Sequence, residues 1–176
     1  MKYFRILICL SLFISFSVSK AMPDSLTYSK KIKEQAKLMG DYMLKKDFKS
    51  FTAFTYPKVI EMMGGEENMI HVMEAGEKEM DANGSHFLSV TVGEPSTVIS
   101  IGNELQCTLA QVIEMKVWNG TLLVKSSLIG ISSDKGKIWY FLDTSDKDIN
   151  EMKKVLPNLS ERLVIPVNQE PLFHHD

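Results

Sequence analysis

Glu104-Leu105-Gln106-Cys107-Thr108-Leu109-Ala110-Gln111-Val112-Ile113-Glu114-Met115-Lys116-Val117-Trp118-Asn119-Gly120-Thr121 decides the fold class. Read in steps of two, Leu105, Cys107, Leu109, Gln111, Ile113, Met115 and Val117 fall on one side, and Glu104, Gln106, Thr108, Ala110, Val112, Glu114 and Lys116 on the other. That period of two is a long, half-buried β-strand. Asn119-Gly120 then supplies a two-residue turn, because both residue types tolerate the positive φ angles of a twisted hairpin. With those residues as the loop, Trp118 pairs with Thr121, Glu114 stands opposite Lys125 and Met115 opposite Val124. Opposite charges then meet on one face and apolar groups on the other. After a polar loop over residues 132–136, the run Lys137-Ile138-Trp139-Tyr140-Phe141-Leu142-Asp143 is apolar on both faces, as a strand covered from both sides is.

Upstream of this hairpin the period is 3.6. Tyr28, Ile32, Ala36, Met39 and Met43 recur at helical spacing up to about Lys46. Asp47 caps a second helix carrying Phe48, Phe51 and Phe54, and Tyr56-Pro57 interrupts it. A further turn stops at Gly64-Gly65. Glu66 and Glu67 open a third long helix with Met69, Ile70, Met73 and Met80, which ends at Asn83-Gly84. Strands are expected at residues 86–92 and 97–101, with a break at 93–96. Past Asp143, Ser145 is expected to cap a last helix with Ile149, Met152, Val155 and Leu156 as its stripe.

The first residues read as an address. Lys2 and Arg5 precede an apolar run over residues 6–18, and Ser19 and Ala21 flank a cut after Ala21. The run is shorter than the ~20 residues of a spanning helix. Residues 1–21 are therefore a signal peptide, residues 22–145 one α+β domain, and residues 146–176 a short C-terminal helix and extended tail. The expectation is an exported protein, periplasmic or extracellular, with no stable membrane insertion after cleavage. Without the signal, 17 basic residues face 22 acidic ones, and no basic patch points to nucleic acid. Cys107 is then the one cysteine left, expected as a buried structural thiol. No phosphate loop, serine-hydrolase elbow or zinc spacing is present, so no cofactor or metal is expected.

Helices followed by a long meander that ends in Gly136-Lys137-Ile138-Trp139-Tyr140-Phe141-Leu142-Asp143 resemble the nuclear transport factor 2-like superfamily over roughly residues 25–143. Asp47-Phe48, Phe54-Thr55-Tyr56-Pro57-Lys58 and Met63-Gly64-Gly65 look like its small exported bacterial members. The resemblance implies N-terminal helices packed on the concave face of a strongly curved antiparallel sheet, a cone-shaped cup with a pocket inside. It also implies a homodimer through the outer sheet face. The superfamily includes ketosteroid isomerases, dehydratases, polyketide cyclases and non-catalytic binders, so the fold alone names no activity.

Four residues are expected at the pocket: Tyr42, Tyr56, Gln111 and Ser126. Gln111 is the polar intrusion in the inward row. It either orients a ligand carbonyl or satisfies backbone freed at a β-bulge. Ser126 lies two positions from Leu128 on the partner strand. The isomerase-like members use a tyrosine to hold a developing oxyanion, which makes Tyr42 and Tyr56 candidates by resemblance. Proton transfer further needs an acid or base inside the cup. The inward row holds none, and Asp143 ends its strand at the rim. His71 reads as an exposed or partly packed histidine, and His174-His175-Asp176 as a solvated tail. The methionines, eleven in the chain, fall largely on helical stripes that fill the core and line an adaptable pocket.

The function expected first is therefore a non-catalytic domain that binds a small apolar molecule, a peptide or a protein partner. A lyase or isomerase acting by proton transfer is the alternative. The tail adds one structural expectation: Leu163-Val164-Ile165-Pro166-Val167 is too apolar for a solvated end and is held extended by its prolines. It should strap along the domain and leave residues 174–176 free.

Overall fold

Gly84, where the sequence period changes, divides a helical half from a β half. The computed structural model describes residues 25–144, 147–166 and 170–175. Four helices come first: α1 (Ser25–Leu44), α2 (Phe48–Thr52), α3 (Pro57–Met62) and α4 (Glu66–Ala82). Asp47 caps α2 by accepting the Ser50 N–H at 3.1 Å, and Pro57 occupies the first turn of α3, where its missing donor costs nothing. The strands are β1 (His86–Pro95), β2 (Ile99–Ile101), β3 (Glu104–Val117), β4 (Gly120–Ser132) and β5 (Tyr140–Asp143). A short helix α5 (Ile149–Val155) and a last strand β6 (Leu172–His175) follow. All strand pairs are antiparallel, in one six-stranded sheet whose order is β1-β3-β4-β5, with β2 on β3 and β6 on β4. The fold class is α+β, as the two periods predict.

The β3–β4 hairpin is present, but its register is one residue off the expected loop. Trp118 and Asn119 form the turn and Val117 faces Gly120, so Glu114 stands opposite Leu123, and Lys125 opposite Val112. Neither turn residue nor Gly120 has a positive φ. The glycine answers a different need: a Cβ there would run into the carbonyl oxygen of His174 on β6. Glycine at residue 120 lets β6 approach. Because the register moves by two positions on the partner strand, Glu114 and Lys125 still share a face.

Each face of the sheet carries its own core. On one, Tyr28, Ile32, Ala36 and Met39 of α1 pack against Leu105, Cys107, Leu109, Leu128, Trp139 and Phe141. On the other, Met152, Leu156, Leu159 and Leu163 pack against Ile129, Ile131 and Leu142. The run expected to be a covered strand from Lys137 is strand only over Tyr140–Asp143, where Phe141 turns to α1 and Leu142 to α5, while Lys137 and Ile138 before it are exposed.

The second layer is fastened by polar groups as well. Gln106 is fully buried on the α5 face; its Nε2 donates to the Glu104 carboxylate at 3.0 Å and to the Asn158 carbonyl at 3.2 Å, and its Oε1 accepts the Ser160 N–H at 2.9 Å. The Thr108 hydroxyl donates to the Val164 carbonyl at 3.0 Å. Leu163 is 3% exposed and Val164 71%, an extended strap with one side down. The expected strap therefore exists over residues 163–165, while Val167 lies outside the described residues.

Two expectations about the C-terminal part are corrected. His174 and His175 are not free: they belong to β6, where they pair with Thr121 and Gly120, and Phe173 and His175 meet edge to face at 4.6 Å. Asp176 lies outside the described residues. The cap of α5 is Asp148, which accepts the Glu151 N–H at 2.9 Å while Glu151 reaches back to the Asp148 N–H at 3.1 Å. Ser145 lies outside the described residues, as does the signal peptide expected at residues 1–21. Among the described residues no helix is long and apolar enough to cross a membrane.

Candidate functional site

Where β3 and β4 run on past the two cores, the α1 face of the sheet is not filled. A cavity of about 500 Å³ lies there and takes in Leu142, Met152 and Val155 from the α5 side as well, so that α1, α3, α4, α5 and the strands bound it. Six methionines line it: Met39 and Met43, one turn apart on α1, Met62 and Met63 at the end of α3, Met69 of α4 and Met152 of α5. Phe87 and Val90 of β1 and Ile113 of β3 close the sheet side. Gly40 sets the approach of α1, since a Cβ there would stand 2.8 Å from Val90 Cγ1.

Gln111, Asp143 and Lys147 are polar members of the lining. Gln111 faces Ser126 directly across the ladder, and the Ser126 hydroxyl donates to the Asp143 carboxylate at 2.7 Å. A polar row thus crosses three strands at one edge of a methionine cavity. Asp143 and Lys147 are solvent-exposed, whereas Met39, Met69, Met152 and Phe141 are buried. The charged groups of the site therefore stand at its solvent edge, which they share with the exposed Met62.

Of the two readings of Gln111, its surroundings speak against the bulge. A bulge does lie beside it, between Val92 and Pro95 of β1. There Ser96 does the stitching: its N–H donates to the Thr108 carbonyl at 2.7 Å and its hydroxyl accepts the Thr108 N–H at 3.0 Å. Among the described residues no group pairs with the Gln111 amide. It is half-buried and points its hydrogen-bonding capacity into the cavity.

The tyrosines go elsewhere. Tyr42 stacks on Phe54 with centroids 6.1 Å apart, and Tyr56 packs into the core on the α5 face, so both lie outside the described lining. Burial, with the Glu104 carboxylate adding to it, pushes the Tyr56 hydroxyl above its ordinary pKa. Cys107 is fully buried against α1, and burial pushes its thiol up to about 12, which leaves it neutral and unreactive. His71 and His86 are exposed. Among the described residues no three metal-binding side chains converge.

Asp143, expected at the rim, is an exposed member of the lining, and Lys147 is the lining residue that sequence reasoning missed. The signal for Asp143 was available: it shares parity with Phe141, so placing Phe141 inward places Asp143 on the same face. Lys147 follows the strand in a connection with no period to read. No family model, curated protein or solved structure matches the chain.

Proposed function

We propose that this chain is an exported, non-catalytic binding domain that takes a small apolar molecule into the methionine-lined cavity. In this reading the sheet and its helices form a curved cup of the nuclear transport factor 2-like kind. The observation that carries it is the cavity itself: its volume falls inside the ~300–1,000 Å³ typical of small-molecule sites, and its lining is mostly apolar. Unbranched methionine side chains re-pack around different shapes, which suits a binder more than a site that must hold one reacting geometry. A peptide or a second copy would meet the outer face near Val112 and Leu123, since α5 and residues 156–165 cover the rest.

One observation favours proton transfer as a second reading. Asp143 lines the cavity with its carboxylate fixed by Ser126, the position a general base would need. Displacement of an apolar fluorescent probe by small hydrophobic molecules tests the binding reading, with saturable displacement expected. A protein that takes up no probe and no ligand contradicts it. Incorporation of deuterium from D₂O into a bound ligand, lost in Asp143→Asn, would move the assignment to the second reading.

A further inference from the structure

We propose that the ligand is a single-chain amphiphile with a neutral carboxamide head, held by Gln111 at the polar row while its chain lies among the methionines. This rests on the cavity being a binding site and names what the site selects. Gln111 presents one carbonyl acceptor and two N–H donors to the cavity, and no described residue uses them. Covering that amide with hydrocarbon alone would strand its polar atoms, at a cost of roughly 1–3 kcal/mol. A head with both a carbonyl and an N–H meets both halves of it. A bare hydrocarbon meets neither.

The charges at the mouth argue for a neutral head. Asp143 and Lys147 bring one carboxylate and one ammonium to the same rim, and Ser126 already donates to Asp143. The two opposite charges offset each other, so the rim offers no net attraction to an anionic or a cationic head. The place of the charged groups at the solvent edge sets the direction of the ligand. Its head lies at the exposed Asp143 and Lys147, and its tail runs inward to Met39, Met69 and Met152. The adaptable lining accepts chains of several lengths, so affinity should climb with each methylene until the cavity is full.

The test is a competition titration of the full chain with saturated primary carboxamides of increasing length, the matching carboxylates and the matching alkanes. The expected result is about fourfold tighter binding per added methylene in the short members of each series. Carboxamides should bind more tightly than carboxylates of the same length. Gln111→Leu should weaken carboxamides about tenfold and leave the alkanes unchanged or tighter. Gln111→Met, closer in shape, repeats the measurement should Gln111→Leu fold poorly. Chain-length dependence with no change of head preference in either variant overturns the role of Gln111 but leaves the cavity reading intact, and carboxylates binding more tightly than carboxamides overturn the neutral head. If no series binds at all, the cavity reading itself has failed.

Discussion

The β3–β4 ladder is continuous, yet its two halves are different materials. Residues 105–109 and 128–132 are buried, while residues 111–117 and 121–126 are only half-buried. Backbone pairing is the same in both, so the difference comes from the layers. The first half lies between α1 and the α5 layer. In the second, the helices stand back from the sheet around the cavity, and among the described residues no layer covers the outer face. A single hairpin thus separates the part that holds the fold from the part that borders the cavity, the proposed ligand site.

The largest effect should be in the covered half. Phe141 is fully buried, and Phe141→Ala is expected to cost about 3–5 kcal/mol in urea denaturation. Phe87→Ala, beside the cavity, should cost less than about 2 kcal/mol, because the void it enlarges already exists. Equal costs would break the comparison.

Next in size is the strap. Leu163→Ala should cost about 2–4 kcal/mol, and Gln106→Ala about 1–3 kcal/mol through the stranded Ser160 N–H. Both changes loosen the same segment, so the double variant should fall short of their sum. A chain ending after Ser160 that melts unchanged would remove the α5-side layer from the explanation.

Smaller still is the pH dependence of the turn that leads to Trp139. Burial alone would raise the Asp134 pKa, but the Ile138 N–H, the Ser132 hydroxyl and the Lys137 N–H outweigh it and hold the carboxyl below its ordinary value. The unfolded chain therefore takes up this proton first. The contribution is complete above the ordinary carboxylate range, near pH ~4, and is lost as pH falls through the lower folded value. Asp134→Asn should lower stability slightly at neutral pH and flatten the acid limb, so that the two proteins converge as pH falls.

The smallest effect belongs to β6. Its four residues are all exposed, so ending the chain after Pro166 should cost within about 1 kcal/mol while speeding amide exchange at Gly120–Leu123. The contrast with Leu163 sharpens the distinction between strap and terminal strand.

These regions also differ in how far the sequence foretells them. Alternation in β3 and the 3.6 period of α1 and α4 are strong because each element has one face on a core. The inward row follows from it, whereas the Asp47 cap of α2 and the strap were legible from residue chemistry, a capping carboxylate and an apolar run held extended by prolines. The Asn119-Gly120 turn misled because local turn chemistry carries no trace of a strand arriving from residue 172. For the same reason β6 was unreadable: Leu172 and Phe173 form a strand only because the edge of β4 is beside them. The capping box of Asp148 and Glu151 was legible, and it separates Asp148 from Ser145. In the site, parity placed Gln111 on the lining and Ser126 beside it, bonded to Asp143, which the end of its strand had put at the rim. Tyr42 and Tyr56 were misplaced because helix spacing gives a face but not which neighbour, here Phe54 and Glu104, that face meets.

Native-state hydrogen exchange along the hairpin tests the division most directly. Amides of Cys107, Leu109, Ile129 and Ile131 should exchange only through global unfolding, and those of Ile113, Met115, Leu122 and Val124 through a cheaper local opening. Addition of a long-chain carboxamide should slow the second set toward the first. Uniform protection along the ladder, or slowing confined to the covered half, would contradict a fold held at one end and a binding site at the other.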